Sequence, residues 1–128
     1  MITENIINTL SELVSIQSIS SDTNHEGDVL KSAEYVNHLF NSLGLETKIA
    51  TSGNSRPAVL AQTDIDPKKK TVLLYAHHDV QPVGDMDKWK TEPFTPKVID
   101  GRLFGRGSGD NKAGVVVHYE VAKALIDD

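Results

Sequence analysis

Two short segments of the sequence carry side chains that could bind a metal ion. The first is His77-His78-Asp79, which follows the apolar run VLLYA. His77 and Asp79 are two residues apart, so on an extended chain their side chains point the same way. A histidine held by a carboxylate is a common arrangement of a metal ligand and its supporting partner. An isolated H-x-D is more often a hydrogen-bonded histidine at a strand end, and that alternative stays open for this segment alone.

The second segment is GRGSGDNKAG, residues 105–114. Its glycines permit a tight backbone path that ends at Asp110, where an aspartate or the following asparagine could also be an N-cap. Glycine-rich turns at helix N-termini bind phosphate, but neither G-x-G-x-x-G nor G-x-x-x-x-G-K is met here. A carboxylate at this position repels an anion and attracts a cation. The segment therefore favours a metal ion over a phosphate group.

The other polar candidates are predicted to lie outside such a site. His78 directly follows His77 and should point to the opposite face of the chain. Ser108 has no G-x-S-x-G elbow around it, so a serine nucleophile is not predicted. The histidines predicted not to bind metal are His25, His38, His78 and His118.

The composition excludes several classes of protein. The chain has 128 residues, 38% of them hydrophobic and 24% charged, which suits one modest globular domain. A net charge of −5 gives neither a footprint for nucleic acid nor a basic face for an anionic membrane. The chain has no cysteine, so any metal must be held by His, Asp or Glu. The sequence has no signal-peptide pattern and no long apolar run, which predicts a cytoplasmic protein.

Apolar periodicity predicts the elements that must position these residues. Three helices are predicted over residues 3–17, 26–43 and 112–126. Five strands are predicted over residues 46–51, 58–62, 71–76, 97–99 and 102–104. The run Thr71–Ala76 is nearly all apolar, as in a strand buried on both faces. Asp100-Gly101 predicts a type I′ hairpin turn. This order of elements indicates an α/β fold with three layers.

Taken together, the two segments resemble the M20 family of metallopeptidases. The resemblance covers residues 75–114, with H-x-D-V-x-P, W-x-x-x-P-F, D-G-x-L-x-G-R-G and G-x-x-D-x-K-x-G in order. The early segment LVSIQSIS also resembles the family's opening helix. The resemblance implies a three-layer α/β/α sheet of the zinc-exopeptidase type. Residues 1–128 would form the N-terminal part of that catalytic domain, without its later strands and without the lid or dimerisation domain.

The resemblance also implies a role for each matching residue. His77 would bind one metal ion, Asp79 would hold the His77 imidazole within the catalytic site, and Asp110 would bridge two metal ions. The Asp110–Asn111 peptide bond would be cis, with Gly107 and Gly109 giving the loop room. The implied cofactors are two divalent ions. Imidazole and oxygen ligands favour Zn²⁺, with Mn²⁺ or Co²⁺ as alternatives.

The implied activity is hydrolysis of a peptide or amide bond in a small substrate. HHDVQP and the GDMDKW loop look closest to the dipeptidase branch. An N-acyl amino acid deacylase or a succinyl-diaminopimelate desuccinylase is the alternative among enzymes. A non-catalytic binding module on a degenerate scaffold is the alternative from another class. The expected partner is a small peptide or N-acyl amino acid, not nucleic acid or membrane, and full-length relatives are often homodimers.

The sequence departs from the family pattern in one respect. The family's adjacent glutamate pair, a further acidic ligand and a late histidine should follow the last predicted helix, and none is found up to Asp128. Two protein ligands are too few for two zinc ions. The hypothesis is therefore that this polypeptide alone is catalytically silent or nearly so.

Overall fold

The three predicted helices are present in the fold. The computed structural model of the protein describes the backbone of residues 2–127 and the side chains of residues 4–126. The helices are α1 (Ile2–Ser15), α2 (Glu26–Asn41) and α3 (Lys112–Asp127), each within two residues of the predicted ends. Gly44 follows α2 with a φ of 80°, the left-handed conformation that ends a helix readily at glycine. No helix in the described part of the chain is long and apolar enough to cross a bilayer.

Two antiparallel hairpins supply the strands within residues 2–127. Strands β1 (Glu46–Ala50) and β2 (Ala58–Gln62) pair along their full length. Strands β3 (Lys97–Ile99) and β4 (Arg102–Phe104) pair across the predicted Asp-Gly turn. Asp100 and Gly101 both have positive φ, 48° and 73°, as a type I′ turn requires. The α/β class is therefore confirmed, with two small sheets in place of one large one.

The predicted strand over residues 71–76 is wrong. No strand is assigned there, and within residues 2–127 the only parallel partner of the following segment is one bridge from Val80 to Ile19. Val72, Leu73 and Tyr75 are 76%, 89% and 79% exposed. An apolar run indicates that a segment can be buried, but a strand forms only when neighbouring backbone groups pair with it. Neither described hairpin provides such a neighbour.

The core lies where the three helices meet. α1 contributes its C-terminal half to the core, and α3 packs against it with Val115 and Val116. Phe40 of α2 and Tyr119 of α3 form an edge-to-face ring pair with centroids 5.9 Å apart. The buried cluster consists of Leu10, Leu13, Val14, Ile16, Val36, Val115 and Val116. This packing brings the end of α1 close to the start of α3, next to the glycine-rich segment.

Candidate metal site

The first loop of the site is tied to the segment that follows α1. Val80 donates its backbone N–H to the Ser18 carbonyl at 2.8 Å, and Ser20 donates back to the Val80 carbonyl at 3.3 Å. The Ser18 hydroxyl, fully buried, donates to the carbonyl of His78 at 2.8 Å. The backbone on the C-terminal side of His77 is therefore fixed at several points.

His78 anchors this loop rather than facing the site. Its Nε2 lies 3.0 Å from the Pro57 carbonyl and its Nδ1 lies 3.2 Å from the buried Ser32 hydroxyl. Burial lowers the pKa of His78, which favours the neutral ring. Because a carbonyl only accepts, Nε2 donates to Pro57, while the Ser32 hydroxyl beside Nδ1 donates to the His78 carbonyl at 3.1 Å. These partners differ from those of His77, so the two rings contact different parts of the structure.

The second loop joins β4 to α3 and contains Asp110. The Asp110–Asn111 peptide bond is cis, as the resemblance implies. Gly107 has a φ of 86°, and a Cβ there would lie 2.6 Å from Val80 Cγ1 and 3.2 Å from Lys112 Cδ. Gly107 is thus the point where the two loops touch. Gly109 has no atom within 4 Å of its hypothetical Cβ, so the structure gives no steric reason for glycine there.

The two loops bring the predicted residues together. His77 Nε2 lies 3.0 Å from Asp110 Oδ1, although the residues are 33 positions apart. His77 Nδ1 lies 3.0 Å from the Asp79 carbonyl and 3.3 Å from Asp79 Oδ1. Two ligands bound tetrahedrally to one zinc ion at about 2.0–2.1 Å lie about 3.4 Å apart. The spacing of Nε2 and Oδ1 is therefore close to that of two ligands sharing a cation.

The electrostatics of His77 reflect these neighbours. Burial lowers the pKa of its imidazole, but hydrogen bonds to the Asp79 backbone and the Asp110 carboxylate, together with both negative charges, raise it more. The net effect raises the pKa of His77 above its ordinary value of 6.5. A metal ion bound at Nε2 would take the place of the proton that these acids favour.

A small cavity of about 140 Å³ adjoins the pair. One wall is Arg106, whose guanidinium lies 5.2 Å from the centre of the Trp89 ring and donates to the Pro82 carbonyl at 3.0 Å. The lining residues are His77, Asp79, Val80, Gln81, Arg106 and Asp110.

The donor set fits part of a metal coordination shell. One imidazole nitrogen and a carboxylate that is 92% exposed are ligands that divalent zinc, manganese and cobalt accept. Within residues 2–127, no group of three or more His, Asp or Glu side chains is arranged to hold a metal ion. The described residues therefore bring together two potential ligand side chains, His77 and Asp110, with Asp79 in contact with His77.

Sequence reasoning gave no role to Lys112. Its side chain is fully buried, and Nζ donates to the carbonyls of Leu13 at 2.9 Å and Ile16 at 2.7 Å. Burial lowers the pKa of Lys112 to about 8. The available signal was its place in the G-x-x-D-x-K-x-G motif, two residues after Asp110. The roles of Ser18 in a predicted loop and Ser32 in a predicted helix had no sequence signal, because only their burial and contacts reveal them.

Comparison with known proteins identifies similar chains. Residues 73–128 match the model of Peptidase family M20/M25/M40. The chain is 38% identical over 123 residues to the Cys-Gly metallodipeptidase dug1 of Schizosaccharomyces pombe, covering 88% of this chain and 26% of that protein. It is 48% identical over 60 residues to the Beta-Ala-His dipeptidase of Rattus norvegicus, covering 47% of this chain and 12% of the relative.

A solved structure is similar across nearly the whole chain. Human carnosine dipeptidase 1 superposes with a TM-score of 0.89 at 29% sequence identity, covering 97% of this chain and 28% of that structure. Two curated relatives match most of this chain. The chain spans only about a quarter of their lengths, 26% of one and 27% of the other.

Proposed function

We propose that this chain, which belongs to peptidase family M20/M25/M40, contributes His77 and Asp110 as metal ligands to a hydrolase that cleaves the peptide bond of a dipeptide. The observation that carries the proposal is the 3.0 Å approach of His77 Nε2 to Asp110 Oδ1. These groups come from two separate loops, and no element of regular structure requires them to meet. We propose Asp79 as the residue that orients the His77 ring.

The three relatives described above are named as dipeptidases, and their names support a dipeptide as the substrate class. This favours a dipeptide over the N-acyl and succinyl substrates that the sequence left open. The coverage of about a quarter of its relatives supports our further proposal that residues 1–128 correspond to the N-terminal part of a catalytic domain. In that proposal, the lid or dimerisation domain lies elsewhere. The cytoplasm stays a prediction for where the protein works, as does a homodimer for the whole enzyme.

The chemistry of these residues follows from their contacts. A divalent cation bound here would polarise the substrate carbonyl and supply an activated water molecule; zinc is our proposal, with manganese or cobalt as alternatives. His77 donates from Nδ1 to the Asp79 carbonyl, and this tautomer leaves Nε2 as the ligand atom. Asp110 presents Oδ1 to His77, and its second oxygen is available for a second cation because the side chain is 92% exposed. Arg106, which stacks on Trp89 and donates to the Pro82 carbonyl, lines the cavity beside the proposed ligands.

The proposal predicts that Zn²⁺ uptake depends on both ligands. His77→Ala and Asp110→Ala should each remove uptake detectable by titration calorimetry, because each leaves a single ligand. His25→Ala is the matched control, since His25 also contacts a carboxylate, that of Asp28 at 2.8 Å, but lies outside the site. Unchanged uptake in both ligand variants would overturn the proposal and favour a non-catalytic binding module.

The raised pKa of His77 predicts how Zn²⁺ affinity changes with pH. Only the neutral ring binds metal, so affinity should fall as the pH drops through the His77 pKa, by about tenfold per pH unit. Asp79→Asn removes one of the charges that raise this pKa, so the fall should begin at a lower pH. Competition with a chelator, corrected for the chelator's own protonation, measures both curves. An affinity that stays constant across the titration of His77 would contradict His77 as a ligand.

A further inference from the structure

Lys112 places a fully buried cation at the end of α1. Taking an ammonium group out of water is costly unless hydrogen bonds replace the lost hydration. Its two acceptors, the carbonyls of Leu13 and Ile16, lie at the C-terminal end of α1. Both carbonyls also accept one backbone N–H, and the partial negative charge at the C-terminal end of a helix favours a cation there. The side chain thus links the start of α3 to the end of α1.

This link also closes the loop that carries Asp110. The backbone N–H of Lys112 donates to the Gly107 carbonyl at 3.0 Å, so residues 107–112 form a closed turn. The side chain of Lys112 then attaches that turn to α1. Asp110 lies inside the turn, two residues before the attachment.

The loop that carries His77 is attached to the same short stretch of chain. Ser18 accepts from the Val80 backbone N–H and donates to the His78 carbonyl, each at 2.8 Å. Both loops are therefore held by residues 13–20. Arg106 of the second loop also links the two loops directly, donating to the Pro82 carbonyl of the first at 3.0 Å.

We infer that residues 13–20 are a common anchor that sets the distance between the two ligands, with Lys112 as the positioning residue for Asp110 and Ser18 as the positioning residue for His77. This inference rests on the proposed function, because it assumes that His77 and Asp110 share a metal ion.

Removing the charge of Lys112 distinguishes a positioning role from a direct electrostatic effect on the metal ion. A buried cation so near the site repels a divalent ion, so a purely electrostatic role predicts tighter Zn²⁺ binding when the charge is removed. Positioning predicts the opposite result, because Asp110 loses its fixed place. Partners that orient metal ligands typically change metal affinity by about 10–100-fold when they are removed.

The test measures Zn²⁺ affinity of the 128-residue chain by chelator competition. Lys112→Met should weaken binding by about 10–100-fold, and Ser18→Ala, a milder change, should weaken it in the same direction. The chain has no cysteine, so Lys112→Cys can be aminoethylated at that position alone while unfolded and then refolded. The product restores an ammonium group on a side chain of lysine length and should recover most of the affinity. Val36→Ala, a core change on α2, is the control for general destabilisation and should leave affinity unchanged.

Each outcome bears on the inference. Tighter binding in Lys112→Met, equal losses in Val36→Ala, or no recovery after aminoethylation would overturn it. If Lys112→Met fails to fold by circular dichroism, Ser18→Ala decides, and wild-type affinity in that variant would overturn the shared anchor. If the proposed function itself is wrong, the pattern is different: His77→Ala and Asp110→Ala should then bind Zn²⁺ as the wild type does.

Discussion

Gly107→Ala is expected to lower the free energy of unfolding by about 2–5 kcal/mol and to weaken Zn²⁺ binding. Gly107 has a φ of 86°, where a side chain costs about 1–2 kcal/mol. Its added Cβ would lie 2.6 Å from Val80 Cγ1 and 3.2 Å from Lys112 Cδ. Such overpacking typically costs about 1–3 kcal/mol more. The metal site should suffer too, because the new methyl group separates the two loops that carry the ligands.

Gly109→Ala is the matched control in the same loop. It lies as close to Asp110 in sequence as any glycine of the loop, yet a Cβ there meets nothing within 4 Å. Its free energy of unfolding should stay within about 0.5 kcal/mol of the wild type. Urea denaturation followed by circular dichroism measures stability, and chelator competition measures Zn²⁺ affinity. Equal losses in the two variants would mean that the contact between the loops is not what Gly107 protects.

The sequence predicted elements whose cause is local. Asp100-Gly101 fixes a two-residue turn by backbone preference alone, and β3 and β4 have the predicted bounds. The helices follow from apolar spacing within each segment. The strand prediction for residues 71–76 failed because strand formation depends on pairing partners far away in the chain. Their apolar character predicted burial, while in the described residues no neighbouring strand pairs with them.

The site residues also differ in whether their roles could be predicted from local sequence. Each ligand loop alone had an ordinary structural interpretation, and only the order and spacing of the family motifs joined His77 to Asp110. The structure brings these two groups to 3.0 Å. Lys112 could not be assigned from local sequence, because its acceptors lie 99 and 96 positions away. A lysine at the start of a helix is ordinarily a solvated residue, and only its buried contacts reveal a different role.

Gly107 connects stability with metal binding. It touches Val80 of one loop and Lys112 of the other, and both of these residues bond to the stretch that follows or ends α1. A change at any of these contacts should therefore affect both properties. The same packing that joins α1 to α3 thus holds the two proposed ligands, His77 and Asp110, in place.

The 128-residue polypeptide is expected to hydrolyse dipeptides at least about 10²–10⁴-fold more slowly than an intact relative, even with added Zn²⁺ or Mn²⁺. A positioned general base contributes roughly that factor in rate. The carboxylates lining the cavity are Asp79 and Asp110. Asp79 is engaged with His77, and Asp110 is the proposed ligand, so neither of the two is free to accept the proton of an attacking water.

A chimera distinguishes slow hydrolysis caused by a missing general base from slow hydrolysis caused by loops that cannot support catalysis. In the chimera, residues 1–128 replace the aligned part of the Schizosaccharomyces pombe relative, and the relative supplies the rest of a dipeptidase. The chimera should cleave Cys-Gly. His77→Ala or Asp110→Ala in the chimera should remove that activity, whereas His25→Ala should not. An active isolated polypeptide would show that the described residues already contain the general base. A chimera that folds, by circular dichroism, and binds Zn²⁺ but never turns over would show that these loops no longer support hydrolysis, because every other catalytic group would be present.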